Sequence, residues 1–209
     1  MQFYQEITLA EQIDVDLNYI ISMTLQALHG AIAIAKGDSE EGGIAIAFPE
    51  YKYNPKKKGF LGKRIRCFAA SEAELASIDL KAVLRHLSDY AKVAEIKAVG
   101  DKATHYEIYT KYRHKNSVKK AQNLYDHLLK KFGQEKFDRE VGSFEVLLEQ
   151  CEARNEQLPY PYANLVSKGT GEPYPLRIKR EIVTSETKTS AFSGYGLSDQ
   201  SKLSTVPAW

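Results

Sequence analysis

A chain of 209 residues that is 43% hydrophobic can bury a substantial core, as one large domain or two small ones. It holds no unbroken apolar run of about 18 residues, which argues against a membrane span, and its start, MQFYQEITLAEQ, lacks the basic head and apolar block of a secretory signal. The formal charge is only +2, and Cys67 and Cys151 stand far apart with no His or Cys at ligand spacing, so they read as buried free thiols of a cytoplasmic protein.

Residues 3–8 read as a strand. Asp16 can cap a helix over Leu17–Ala35, whose apolar positions Leu17, Ile20, Ile21, Leu25, Leu28 and Ile32 keep helical spacing. Strands are expected over 43–48 and 63–70, joined as a long hairpin by the lysine-rich loop 52–64 with its Pro55 and Gly59. Ser71 and Glu74 make a capping box for a short helix; a second helix, Leu80–Lys92, and a strand at 94–99 follow. The order β-α-β-β-α-β is that of a ferredoxin-like (RRM-like) domain over 1–99.

Near Gly100 the pattern changes. A strand over 106–113 leads into a helix over 117–132, with Asn116 or Ser117 as its cap, and another helix lies near Ser143–Ala153. The remainder is β-rich, with strands at Ala163–Val166, Leu176–Val183 and Ala191–Leu197 and turns at Gly169–Gly171 and Ser185–Thr187. The whole reads as an α+β protein with a second domain over 100–209.

The near-neutral total hides an uneven distribution. Residues 100–136 carry nine Lys/Arg against four Asp/Glu, a net +5, while the rest of the chain sums to −3. On the 117–132 helix, Val118, Ala121, Leu124, Tyr125, Leu128 and Leu129 fall on one arc of roughly 140°. Lys119, Lys120, Asn123, His127, Lys130 and Lys131 fall opposite. Lys119 and Lys120 sit near the helix start, where the macrodipole is already positive; that placement is poor for stability and good for holding phosphate. The plain alternative is a solvated lysine face.

Of the five histidines, His86, His105 and His127 read as surface or helix-face positions, and His114 lies in the basic stripe beside Lys115. His29 differs. It follows Leu25 and Leu28 on an apolar helix and precedes Gly30, whose presence inside a helix costs about 1 kcal/mol but allows close approach of another part of the chain. It could be a structural imidazole or a proton-transfer group. The sequence contains no H-E-x-x-H, C-x-x-C or clustered Asp, Gly169-Thr170-Gly171 lacks the lysine of a P-loop, and no G-x-S-x-G elbow occurs. An enzyme of this composition acting on nucleic acid would therefore need no metal, and RNA supplies its own nucleophile, the 2′-hydroxyl.

His29 on the first helix, the stretch Leu165-Val166-Ser167-Lys168-Gly169-Thr170-Gly171, and the tail Phe192-Ser193-Gly194-Tyr195-Gly196-Leu197-Ser198 ending in Val206-Pro207-Ala208-Trp209 resemble the CRISPR-associated endoribonuclease of subtype I-F, the Csy-type enzyme. The resemblance implies binding of the CRISPR repeat stem-loop and metal-independent cleavage at the 3′ base of the stem, leaving a 2′,3′-cyclic phosphate and a 5′-hydroxyl. It implies no cofactor, continued binding of the mature crRNA, and partnership with other subunits of the interference complex. In its terms His29 would be the proton-transfer group, Ser167 would hold the 2′-hydroxyl and Tyr195 would orient the histidine. Tyr174 would stack on the terminal base pair, and Lys168 and Thr170 would contact RNA next to Ser167.

The chain departs from the family in two places. Its groove-binding helix uses Lys119, Lys120, Lys130 and Lys131 where the family's is rich in Arg, which leaves base reading to Lys111 and Arg113 on one strand face. The second serine of the family's S-x-S-T pattern is Gly169. Rival readings are a catalytically inactive RNA-hairpin-binding subunit and a scaffold that binds no nucleic acid. Ser167 could merely cap a turn, Tyr195 could be a half-buried strand tyrosine, and Tyr174 could be a loop aromatic covering the core.

Overall fold

The computed structural model describes residues 1–11, 13–39, 43–113, 117–153, 159–187 and 190–209. Two compact units emerge: Met1–Tyr112 with Pro159–Trp209, and Arg113–Leu158. The boundary expected at 99/100 falls between the two main sheets of the first unit, so compactness groups the chain differently from the sequence pattern.

The first sheet joins β1 (Phe3–Leu9), β2 (Ala45–Ala47), β5 (Arg64–Ala69) and β6 (Ala91–Val93) in the order β2-β5-β1-β6, all neighbours antiparallel. This order is compatible with the expected ferredoxin-like half. Helix α1 (Leu17–Lys36) connects β1 to β2; Asp16 caps it by accepting from the backbone N–H groups of Asn18 and Tyr19, a contact worth about 1 kcal/mol. By length and composition α1 could cross a membrane, yet here it is a core helix that buries Ile20, Ile21, Leu25, Leu28 and Ile32. The loop expected over 52–64 folds into a small hairpin of its own, β3 (Lys52–Asn54) and β4 (Lys57–Phe60).

Helix α2 (Glu72–Ala76) starts at the expected capping box, with the Ser71 hydroxyl accepting from the Glu74 N–H. The long helix expected over Leu80–Lys92 does not form. A single turn, α3 (Leu80–Val83), passes into a 3-10 turn at Arg85–Leu87, and Ala91–Val93 turns extended to pair with β1. The strand expected at 94–99 is reduced to β7 (Lys97–Ala98), which pairs with the start of β1 beside β6.

The second sheet has the order β11-β8-β10-β9, formed by β8 (His105–Tyr112), β9 (Tyr162–Val166), β10 (Pro173–Val183) and β11 (Val206–Ala208). Strand β10 begins at Pro173, three residues before the expected start, and takes in Tyr174. Ala191–Leu197 is not the strand expected; it holds a tight turn and single bridges, Phe192 to Ser198 and Ser198 to Thr110. Strand β11 was not anticipated. It carries Trp209 onto the first sheet, where the Arg66 guanidinium lies 3.9 Å from the indole centroid and pairs with Glu6 at 2.7 Å. Both cysteines are buried free thiols, and burial pushes Cys67 up to about 12.

The second unit holds α4 (Ser117–Phe132), α5 (Gln134–Glu140) and α6 (Phe144–Ala153). Tyr125 anchors it, edge-on to Phe137 at 4.9 Å and to Phe144 at 5.6 Å, with Ala121 and Phe137 fully enclosed. Val118, placed by periodicity on the apolar arc, is 52% exposed, because it lies in the first turn.

Candidate active site

Two adjacent stripes of α1 serve different partners. The stripe Ile21, Leu25, Leu28 and Ile32 enters the core; of the neighbouring residues, Ser22 and Gln26 meet β9, Gly30 meets Lys168 just beyond it, and His29 meets the 193–196 turn. As the outer strand of its sheet, β9 has backbone groups without strand partners on one side. Helix α1 supplies them: the Ser22 hydroxyl accepts from the Asn164 N–H at 2.9 Å, and the Gln26 side-chain oxygen accepts from the Val166 N–H at 2.7 Å. Four helical residues rise about 6 Å and two strand residues about 6.6 Å, so the two spacings match. The register brings the end of β9, where Ser167 stands, alongside the turn of α1 that carries His29.

The imidazole is held from the tail. His29 Nδ1 lies 2.8 Å from the Gly194 carbonyl oxygen, and its ring stacks on Tyr195 with centroids 4.0 Å apart and planes within 9°. A carbonyl oxygen can only accept, so Nδ1 carries the proton and Nε2 of the neutral ring is an acceptor. A side chain at position 194 would put its Cβ 3.1 Å from the Ala33 Cβ, so a glycine here spares a crowded contact where this carbonyl approaches α1. Gly196 has φ +69°, and its carbonyl accepts from the Ile46 N–H at 2.8 Å, tying the turn to the edge of the first sheet.

The Tyr195 hydroxyl is 2.9 Å from that of Tyr174. Burial first, and then this hydrogen bond, push the Tyr174 phenol up from its ordinary value, which keeps it neutral. The Lys111 ammonium lies 4.6 Å from the Tyr195 centroid and 5.3 Å from that of Tyr174, within cation–π range of both. Ser167 is half-buried and opens the turn to Gly171; its hydroxyl accepts from the Thr170 N–H at 3.3 Å and its carbonyl from the Gly171 N–H at 2.8 Å. Thr170 and Lys168 are exposed.

The structure thus gathers His29, Tyr195, Tyr174 and Lys111 into one interlocked group. Strand β8 ends at Tyr112, and Arg113, exposed, is the first residue of the other compact unit. Lys119, Lys120 and Asn123 are exposed on α4. His114, Lys115 and Asn116 lie outside the described residues. Sequence reasoning missed Gly194, Ser22 and Gln26; the glycine flanking Tyr195 on its N-terminal side was the only signal available.

The model of the CRISPR-associated protein family Cas_Csy4 matches residues 4–209. The chain belongs to the Csy4 family. That is a family of CRISPR RNA endoribonucleases, and membership makes this chain a protein that binds and processes CRISPR repeat RNA. No curated protein matches it. A solved RAMP protein described as binding different RNA substrates is similar at 13% identity, over 99% of this chain and 100% of that one, with a TM-score of 0.33.

Proposed function

We propose that this Csy4 family member cleaves repeat RNA at the 3′ base of its stem by internal attack, without metal, and remains on the mature crRNA as a subunit of the interference complex. The observation that supports it most is the tautomer of His29. With Nδ1 donating to Gly194, Nε2 is an acceptor for the 2′-hydroxyl proton. The oxygen then forms its bond to phosphorus, the bond to the 5′-oxygen breaks, and that oxygen takes up a proton, which the imidazolium can return. The products are a 2′,3′-cyclic phosphate and a 5′-hydroxyl.

Tyr195 holds the plane of the imidazole by stacking, and its hydroxyl is in turn held by Tyr174. The Ser167 hydroxyl accepts a backbone bond and keeps its own hydrogen for the ribose 2′-oxygen. Base-pair stacking on Tyr174 and phosphate contacts from Lys119 and Lys120 complete the reading.

The test uses a repeat hairpin with and without a 2′-deoxy nucleotide at the scissile position, in EDTA. Cleavage of the all-ribose RNA alone is expected. Cleavage of the deoxy substrate would exclude internal attack, cleavage that vanishes in EDTA would require a metal, and intact all-ribose RNA at stoichiometric protein would leave only a binding subunit.

A further inference from the structure

We propose that Lys168 is a catalytic residue that stabilises the charge gathering on the reacting phosphate, and that Gly30 is the positioning residue whose missing side chain seats it beside His29. This rests on the internal-attack reading above.

The register between α1 and β9 has a third rung. Ser22 serves Asn164 and Gln26 serves Val166; the next step, four residues along the helix and two along the strand, is Gly30 and Lys168. There the Lys168 Nζ lies 3.3 Å from where a Gly30 Cβ would stand, and its Cε 4.0 Å. Apart from the residues on either side of it and the backbone of α1 itself, no other atom of the described residues comes within 4 Å of that point. Gly30 does not have the left-handed backbone of Gly37, Gly62, Gly171 or Gly196, and no backbone packs against its open side as Ala33 packs against Gly194. A glycine inside a helix is unfavourable, and the group from outside α1 that lies against this one is an ammonium.

The charge has no internal use. Among the described residues no carboxylate pairs with Lys168, in contrast to Lys63, Lys81 and Lys179, which pair with Glu11, Glu95 and Glu181. An unneutralised cation seated at the helix position that follows His29 is complementary to a developing anion. As the 2′-oxygen bonds to phosphorus and before the 5′-oxygen departs, the non-bridging oxygens carry the extra negative charge, and the ammonium donates to one of them. The proton taken by His29 is returned to the 5′-oxygen, so the lysine stays protonated throughout.

Three variants test this: Lys168→Gln, Gly30→Ala and the double. Each is assayed for single-turnover cleavage at saturating protein, affinity for the uncleavable 2′-deoxy hairpin, and thermal midpoint. Lys168→Gln should slow cleavage about 10²-fold, the loss seen when one transition-state donor is removed, with affinity changed by less than about fivefold. Gly30→Ala should raise the midpoint by roughly 2–4 °C through helix propensity and yet slow cleavage about tenfold. The double variant should be no slower than Lys168→Gln alone.

Wild-type cleavage by Lys168→Gln, or equal losses in rate and affinity, overturns the catalytic role. A Gly30→Ala protein that is fast, or that loses stability along with rate, overturns the seat, as does a double variant whose defects multiply. All of these are read against wild-type protein that cuts ribose and spares deoxy RNA; loss of that contrast indicts the internal-attack reading instead.

Discussion

Helices α1 and α4 carry the same kind of pattern, an apolar stripe beside a polar one over 20 and 16 residues, and meet different fates. In α1 the polar stripe is used inside the protein: Ser22 and Gln26 complete the outer edge of β9, and His29 docks on the 193–196 turn. In α4 the apolar stripe packs on Phe137 and Phe144, while Lys119, Lys120, Asn123, Lys130 and Lys131 stay on the surface. A polar stripe becomes a precise site only where a second element has backbone groups that need it; elsewhere it stays a diffuse cationic face suited to phosphate.

The sharpest way to break this contrast is at His29. His29→Ala should lower the single-turnover cleavage rate by about 10²–10⁴-fold, since proton transfer is lost, while hairpin affinity stays within about threefold. A large loss of affinity would move His29 from the chemistry to the clamp. Next comes Gly194→Ala, whose Cβ would press on Ala33 and push the carbonyl off the imidazole. Cleavage should fall about tenfold and stability by about 1–2 kcal/mol. An unchanged rate would show that the carbonyl does not orient the ring.

The α4 face should answer differently. Gln at both Lys119 and Lys120 should leave the cleavage rate of bound RNA intact and flatten the dependence of log affinity on log salt by about one to two units. If the slope does not change, that face is not at the RNA. The smallest effect is expected at Gln26→Ala, which orphans the Val166 N–H: about 1 kcal/mol of stability and faster exchange of that one amide. An amide as protected as before would mean that α1 does not complete β9.

Much of the fold was legible because it rests on local pattern. Strand β1, helix α1 with its Asp16 cap, the Ser71 capping box and the apolar arc of α4 all follow from spacing and end signals. The failures share a cause. Residues 91 and 92 left a helical pattern to pair, with Val93, on the edge of β1, and 191–197 became a bridged turn because Phe192 and Ser198 find partners too few for a strand. Of the site, His29, Ser167, Tyr174 and Tyr195 could be named from residue type and resemblance. The Gly194 carbonyl could not, because a backbone acceptor has no signature in a sequence.

By itself, the sequence determined which chemistry was on hand: one imidazole on an apolar helix, a run of cations on another, and a glycine-flanked tyrosine near the end. Tertiary structure alone decided that Nδ1 of His29 meets a carbonyl 165 positions away and that its ring stacks on Tyr195. It alone laid Lys168 against the bare side of Gly30. Periodicity reports which face of an element is buried, but a proton's place on an imidazole depends on the one atom opposite it, and chain closure over long distances brings that atom there.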